Sequence, residues 1–167
     1  MPEPGSVRLP AFAWYILALV LIAADQATKL LATDLLEYAT PMPVFFWFNL
    51  TLHHNAGAAF SFLSDAGGWQ RWFFTVLALG VSFAIALWIR QLQRGQWILA
   101  FGLACVLAGA VGNLIDRLRL GYVVDFISVH YGSWYFPTFN VADSVITVGA
   151  ALIILDSLRG TSSSEEG

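Results

Sequence analysis

Two aspartates, Asp125 and Asp143, lie on either side of a loop that is rich in aromatic residues. They are 18 positions apart (143 − 125), and the second is followed by a long apolar run over residues 144–158. An ionisable side chain beside a membrane span is costly, so its presence indicates a site. Two carboxyl groups that meet can share one proton and carry out acid–base chemistry.

Each aspartate also has to be weighed against a purely structural role. Asn140 and Asp143 resemble a capping box at the start of a helix, which explains Asp143 without any catalysis. Asp125 has no such explanation, because it lies between Val-Val and Phe-Ile-Ser-Val. A buried strand accepts an acid there only if the acid has a partner. Spacing alone leaves both interpretations of the pair open.

Other polar residues recur at helical spacing. Asp25 and Lys29 are four residues apart, and the favoured interpretation is a structural ion pair that supports the site. Asn113, Asp116 and Arg117 also share one helix face. They form either a helix end, with the arginine near the terminal carbonyls, or a clamp that orients a catalytic acid or a substrate carbonyl.

A third polar segment contains Asn55 and Gly57. It is either a plain turn or a loop that pairs with an extended peptide. The histidines lack the ligand spacing of a metal motif, so a zinc site is disfavoured. Cys105 is the single cysteine, which excludes an internal disulfide and a cysteine metal cluster and predicts a buried, inert thiol.

Composition predicts that these residues belong to an integral membrane protein. Of the 167 residues, 58% are hydrophobic and only 11% are charged, whereas soluble domains carry about a quarter charged residues. The net charge of −3 offers no basic face for nucleic acid. The hydropathy pattern predicts one domain with four spans, the first being retained and not a cleaved signal peptide. The spans are residues 11–31, 70–89, 96–115 and 141–158, with long loops over 32–69 and 116–140 and a disordered tail over 160–167.

The two long loops contain aromatic and β-branched segments that predict strands over residues 44–52, 122–129 and 134–139. Four spans place both tails on one side of the membrane and both long loops on the other, together with the polar residues described above. Positive-inside counting gives four basic residues on each side. The short turn that carries Arg90 and Arg94 is the cleaner signal, and it predicts cytoplasmic tails.

Five motifs occur in order and resemble those of the bacterial lipoprotein signal peptidases, the signal peptidase II family. They are Asp25-Gln26-x-Thr28-Lys29, Asn55-x-Gly57-Ala58-Ala59-Phe60, Gly109-Ala110-x-Gly112-Asn113-x-x-Asp116-Arg117, Val124-Asp125-Phe126 and Phe139-Asn140-x-Ala142-Asp143. The resemblance covers the chain from about Asp25 to Asp143 and extends to the four-span layout. Each motif is weak by itself, but five in this order are highly specific.

The resemblance implies an all-α membrane protein with four transmembrane helices and a small β-rich cradle outside the membrane. It implies an aspartic endopeptidase of the bacterial cytoplasmic (inner) membrane, with its site near the periplasmic surface. The substrates would be prolipoproteins, cut before a diacylglyceryl-modified cysteine, and no metal, cofactor or obligate protein partner is expected. Asp125 and Asp143 would be the catalytic pair. The supporting or substrate-binding residues would be Asp25, Lys29, Asn55, Gly57, Asn113, Asp116, Arg117, Asn140 and Ala142.

Two hypotheses from other classes compete with the peptidase. A small proton-coupled transporter would use the intramembrane Asp25, Lys29 and Asp143 as a proton relay. The charges cluster at one face, however, and no inverted repeat or broken helix is evident. A non-catalytic scaffold would leave the two aspartates unexplained.

Overall fold

The computed structural model describes residues 10–57, 69–93 and 95–162. Within these ranges, four helices are long and apolar enough to cross a membrane: α1 (Ala11–Leu35), α2 (Trp69–Gln91), α3 (Trp97–Arg119) and α4 (Val141–Ser162). At about 1.5 Å per residue, each helix exceeds the roughly 30 Å hydrocarbon thickness. The predicted fold, four membrane helices with a small sheet, is confirmed.

Helix α3 is the centre of the bundle. In its membrane window 78% of the residues are buried, against 22% or fewer in the windows of the other three helices. Its small residues allow this close packing. A Cβ atom added at Gly149 of α4 would lie 2.6 Å from the carbonyl oxygen of Gly102, so only glycine fits where these two helices cross.

The extramembrane segments form one antiparallel sheet in the order β1-β2-β3-β4. Its strands are β1 (Met42–Phe45), β2 (Phe48–Asn55), β3 (Val123–Tyr131) and β4 (Trp134–Tyr135). The central pair, β2 and β3, joins the first long loop to the second and places His53 opposite Asp125. The register shifts between Leu50 and His53, where β2 has a bulge or irregularity.

The structure corrects several predicted boundaries. The segment predicted as one strand over 44–52 is a hairpin that turns at Phe46 and Trp47, and the segment 134–139 is a strand only over Trp134–Tyr135. Pro137 lacks an N–H and cannot donate a hydrogen bond to the sheet, so the strand predicted over 134–139 ends before it. Helices α1 and α3 each continue four residues beyond their predicted ends. Helix α4 reaches Ser162, so residues 160–162 are helical and not part of a disordered tail, while 163–167 lie outside the described residues.

Candidate active site

Strand β3 carries Asp125 into the base of the bundle, where its carboxylate is only 2% exposed. Asn140 Nδ2 donates a hydrogen bond to Asp125 Oδ1 at 2.7 Å. Asn55 Nδ2 donates to Asp125 Oδ2 at 3.0 Å. The acid therefore has the partners that a buried carboxylate requires, and both partners are neutral amides.

Asp143 lies in the first turn of α4 and does cap the helix. Its Oδ2 accepts the Asn140 backbone N–H at 3.3 Å, and Asn140 Oδ1 accepts the Asp143 backbone N–H at 2.9 Å. This reciprocal arrangement is a capping box. Its other oxygen, Oδ1, accepts a hydrogen bond from Asn113 Nδ2 at 2.8 Å. The predicted capping box is thus confirmed. It does not prevent the Asp143 carboxylate from also taking part in the site.

Asn140 brings the two aspartates together. It is fully buried, its side-chain amide bonds Asp125, and its backbone N–H bonds Asp143. The same Nδ2 atom also lies 3.2 Å from Asn113 Oδ1. Two carboxylates separated by 18 positions in sequence therefore share one neighbour. The sequence predicted Asn140 as a helix cap and, through the family resemblance, as polar support for the site. Its hydrogen bond to Asp125 is a tertiary contact, which no sequence pattern around Asn140 predicts.

Burial and the neighbouring acid make the Asp125 proton hard to lose. Loss of solvent is the larger cause, the negative charge of Asp143 is the next, and together they raise the pKa of Asp125 to about 7. Hydrogen bonds from Asn55 and Asn140 and the charge of Lys29 act in the opposite direction. A pair of this kind titrates as a unit and can hold a single proton near neutral pH.

An ionic cluster lies directly beside this pair. Lys29 Nζ is 2.9 Å from Asp25 Oδ2 and 2.9 Å from Asp116 Oδ2, and it donates to Asn113 Oδ1 at 2.9 Å. All four side chains are buried. The predicted Asp25–Lys29 ion pair is confirmed, and the structure adds Asp116 as a second counter-ion. Within the part of the chain that the structure describes, Lys29 forms its ion pairs with these two acids and not with Asp125 or Asp143.

The acids of the ionic cluster hold the backbone next to each member of the pair. Asp116 Oδ2 accepts the N–H of Val124 at 3.1 Å, one residue before Asp125. Asp25 Oδ1 accepts the N–H of Ala142 at 2.8 Å, one residue before Asp143. The cluster therefore positions both aspartates through the chain that carries them.

Close approach between α1 and α3 makes these contacts possible. A Cβ atom on Gly112 would lie 2.6 Å from Asp25 Oδ2. Gln26 completes the junction, since its Nε2 donates to Asp116 Oδ1 at 2.9 Å and to the Gly112 carbonyl at 3.2 Å. Gln26 was quoted in a motif but not proposed as a site residue. Its position next to Asp25 was the available signal.

Arg117 holds the loop that carries Asn55. One terminal nitrogen donates to the Gly57 carbonyl at 3.1 Å, and the other lies 3.4 Å from the Asn113 carbonyl. Asn55 Oδ1 in turn accepts the Gly57 N–H at 3.0 Å, which closes a tight turn. Arg71, which sequence reasoning missed, donates from Nε to the Arg117 carbonyl at 2.9 Å. An isolated arginine at the start of an apolar span was its only signal.

A cavity of about 530 Å³ opens next to Asp143. Polar groups line one part of it, namely Asn55, Asn113, Arg117 and Asp143. The rest is largely apolar and includes Val123, Phe136, Phe139 and Ile146. This volume is within the usual range for ligand sites of about 300–1,000 Å³. Among the described residues, no three His, Cys, Asp or Glu side chains are grouped so that they could hold a metal ion.

Comparison with known proteins gives a consistent result. The family model described as signal peptidase (SPase) II matches residues 17–159. The chain is 53% identical to the lipoprotein signal peptidase of Teredinibacter turnerae over 159 residues, which is 95% of each protein. It is 47% identical to that of Pseudomonas putida over 99% of this chain and 98% of the relative. A solved structure, titled a bacterial membrane enzyme, matches with a TM-score of 0.83 at 31% identity over 93% of each chain.

The fold and the site define an integral membrane protein with a pair of neighbouring carboxylates, one buried and one partly buried, at one end of its helical bundle. The chain belongs to the signal peptidase II family, whose known class is aspartic peptidase.

Proposed function

We propose that Asp125 and Asp143 are the catalytic pair with which this signal peptidase II removes signal peptides from prolipoproteins. The observation that carries the proposal is the convergence of two carboxylates, the buried Asp125 and the partly buried Asp143, on Asn140 beside a cavity. The transporter hypothesis receives no support from the comparisons. The polar residues of this chain also cluster at one end of the bundle. This arrangement suits a catalytic site and not a transport pathway that crosses the membrane.

The proposed reaction uses one proton shared by the pair. The ionised carboxylate takes a proton from a water molecule, and the water oxygen attacks the scissile carbonyl carbon. The protonated carboxyl donates a hydrogen bond to the carbonyl oxygen as negative charge develops there. The carbon–nitrogen bond then breaks, and the leaving amine takes a proton from the pair. The raised pKa of Asp125 supports a pair that retains a proton near pH 7.

The supporting residues fall into two groups by what they contact. Asn55, Asn113 and Asn140 donate amide hydrogen bonds to the pair, and Arg117 fixes the Gly57 turn. The second group does not contact the carboxyl groups of the pair. It sets their positions through the backbone at Val124 and Ala142, and consists of Asp25, Lys29 and Asp116.

The substrate bond is proposed to be the one before a cysteine that carries diacylglycerol. The cavity beside Asp143 has an apolar wall that includes Phe139 and Ile146, and it begins at the first turn of a membrane helix. A signal peptide could lie along this wall while the acyl chains rest in lipid between the helices. This arrangement would present the scissile peptide bond to the pair at the membrane interface.

The membrane is proposed to be the bacterial cytoplasmic membrane, with both termini in the cytoplasm and the site near the periplasmic surface. Four candidate spans put the two ends of the chain on the same side. Arg90 lies in the last turn of α2, on that side, and supports its cytoplasmic assignment through the positive-inside rule.

The direct test is cleavage of a purified prolipoprotein by the purified enzyme in lipid. Mass spectrometry of the products should show a new N-terminus at the diacylglyceryl-cysteine. The matched control is the same precursor without the lipid, which should be cut far more slowly. Equal cleavage of both precursors would contradict the lipid requirement, and no cleavage of either would contradict the proposed function.

A further inference from the structure

A second cavity, of about 580 Å³, lies next to Asp125. Asp125 lines this cavity, whereas Asp143 lines the first one. Asn55 lines both, as does the segment 136–138, which therefore forms the wall between them. The two cavities therefore adjoin, and each has one carboxylate of the pair in its wall.

The two cavities differ in chemistry. The wall of the second cavity is rich in side chains that form hydrogen bonds: Tyr38, Thr51, His53, His54, Ser128, Tyr135 and Thr138. Apart from Asp125, the described residues that line it include no Asp, Glu, Lys or Arg. Such a surface suits a polar, uncharged ligand with many donors and acceptors, as the backbone of an extended peptide has.

One of these polar groups is buried and has no partner. Thr51 is 4% exposed, and its hydroxyl forms no hydrogen bond in the structure. It lies on β2 within the segment where the register against β3 shifts, between Leu50 and His53. Buried hydroxyl groups are normally hydrogen-bonded, so an unpartnered hydroxyl in a cavity wall indicates a ligand group.

We infer that this second cavity binds the part of the substrate that follows the scissile bond, as an extended peptide hydrogen-bonded to Thr51. The inference rests on the proposed function and deepens it. The apolar signal peptide lies in the cavity that Asp143 lines, and the polar segment after the cysteine lies in the cavity that Asp125 lines. The scissile bond is between them, at the pair.

The first experiment compares two lipid-modified substrates. One continues for six residues beyond the cysteine, and the other ends there as an amide. The wild-type enzyme should cut the longer substrate with the higher kcat/KM. Thr51→Val, which keeps the side-chain shape, should lower kcat/KM for the longer substrate by about three- to tenfold, as expected for one neutral hydrogen bond. The loss for the truncated substrate should be several times smaller.

The second experiment blocks the cavity chemically. Cys105 is buried and is first replaced by alanine. Tyr38→Cys then places an exposed thiol at the cavity, where a bulky thiol reagent should impair cleavage of the longer substrate selectively. The matched control is Tyr131→Cys, an exposed position six residues from Asp125 along β3, about 20 Å away. Labelling there should leave cleavage of both substrates unchanged.

A third measurement does not require turnover. A photoreactive residue three positions after the cysteine should crosslink, in Asp143→Asn enzyme, to residues of the second cavity. Crosslinks confined to Ile146 and Thr147 of the first cavity would overturn the inference. So would equal kcat/KM for the two substrates in the wild-type enzyme. Either result leaves the proposed function intact, whereas failure of the wild-type enzyme to cut both substrates would contradict that function instead.

Discussion

Two pairs of acids lie side by side in this molecule, and they differ in what compensates their charge. Asp25 and Asp116 face Lys29 at 2.9 Å each, so a cation lies between them. Asp125 and Asp143 receive hydrogen bonds from amides, with no ion pair among the described residues. A buried charge is retained only with compensation. The first pair is therefore suited to a structural role, and the second to sharing a proton.

The two pairs of acids also differ in role, since one pair positions the backbone and the other is proposed to carry out the chemistry. The salt-bridged acids bind the N–H groups of Val124 and Ala142, each one residue before a member of the proposed catalytic pair. The amide-bonded acids line the cavities. Similar side chains at one end of the bundle thus perform two tasks, and substitutions should affect either cleavage or folding according to the pair they change.

The largest effect is expected at the amide-bonded pair. Asp125→Asn and Asp143→Asn should each reduce cleavage by about 10²- to 10⁴-fold, because an amide cannot take or give the shared proton. Asparagine keeps a hydrogen-bond acceptor of the same size at either position, so the amount of inserted, detergent-stable enzyme should remain normal. Asp34→Asn, an exposed position on α1, is the matched control and should keep both activity and abundance. Normal cleavage by Asp143→Asn would reduce this residue to a helix cap.

The salt-bridged pair should respond in folding. Lys29→Met leaves two buried carboxylates without their cation, which typically destabilises a protein by about 3–5 kcal/mol. The amount of enzyme that survives detergent extraction should fall accordingly. The triple variant Asp25→Asn, Lys29→Met, Asp116→Asn removes all three charges and should recover much of that loss. Wild-type abundance of Lys29→Met together with lost cleavage would place Lys29 in the chemistry instead.

Arg117 connects the site to the first long loop and should have an intermediate effect. Arg117→Ala removes the hydrogen bond to the Gly57 carbonyl and should lower kcat/KM about tenfold or more, the usual scale for a charged hydrogen bond. Arg119→Ala, at an exposed position two residues away, should change it less than about twofold. Equal, mild effects of the two substitutions would mean that Arg117 does not hold the loop for catalysis.

The pH dependence of stability sharpens the comparison further. The pKa of Asp125 rises from 3.8 to about 7 on folding, so ionising it in the folded protein has a cost. That cost is absent below about pH 4 and complete above about pH 7. Asp125→Asn removes it and should raise the midpoint of thermal unfolding at pH 8, by about 2–4 °C per kcal/mol recovered, but not at pH 4. A pH-independent difference would show that the Asp125 carboxyl is not the cause.

The smallest effect is expected from chelators. A proton shared by two carboxylates activates the water in the proposed mechanism, so EDTA should leave the cleavage rate unchanged. The control is the same incubation with the chelator saturated by calcium. Loss of turnover in EDTA with recovery on adding zinc would refute the aspartic mechanism.

Predictions from the sequence succeeded where the interaction is local. The Asp25–Lys29 ion pair and the Asn140–Asp143 capping box are separated by four and three residues, and helix geometry determines both. The four spans follow from hydropathy alone. The ion pair and the capping box each depend on residues about one turn apart, and each span depends on one continuous apolar segment.

The remaining features depend on tertiary contacts, which no local pattern reveals. Asn140 reaches Asp125, Lys29 reaches Asp116 and Asp25 binds the N–H of Ala142 only after α1, α3 and β3 have packed. The hairpin turn at Phe46 and Trp47 was missed for a different reason. It lies inside an aromatic run without glycine, asparagine or proline, so no turn signal interrupts the strand pattern.

The location of Asp143 on the last helix has a consequence for biosynthesis. A ribosome makes the chain from the N-terminus, so Lys29 enters the membrane with Asp25 already beside it in α1. Helix α3 arrives next, carrying Asp116 and the glycine surface against which α4 will pack. Asn140 and Asp143 follow only with α4. A nascent chain that stalls before α4 therefore lacks half of the proposed catalytic pair, so cleavage should begin only after α4 has been made.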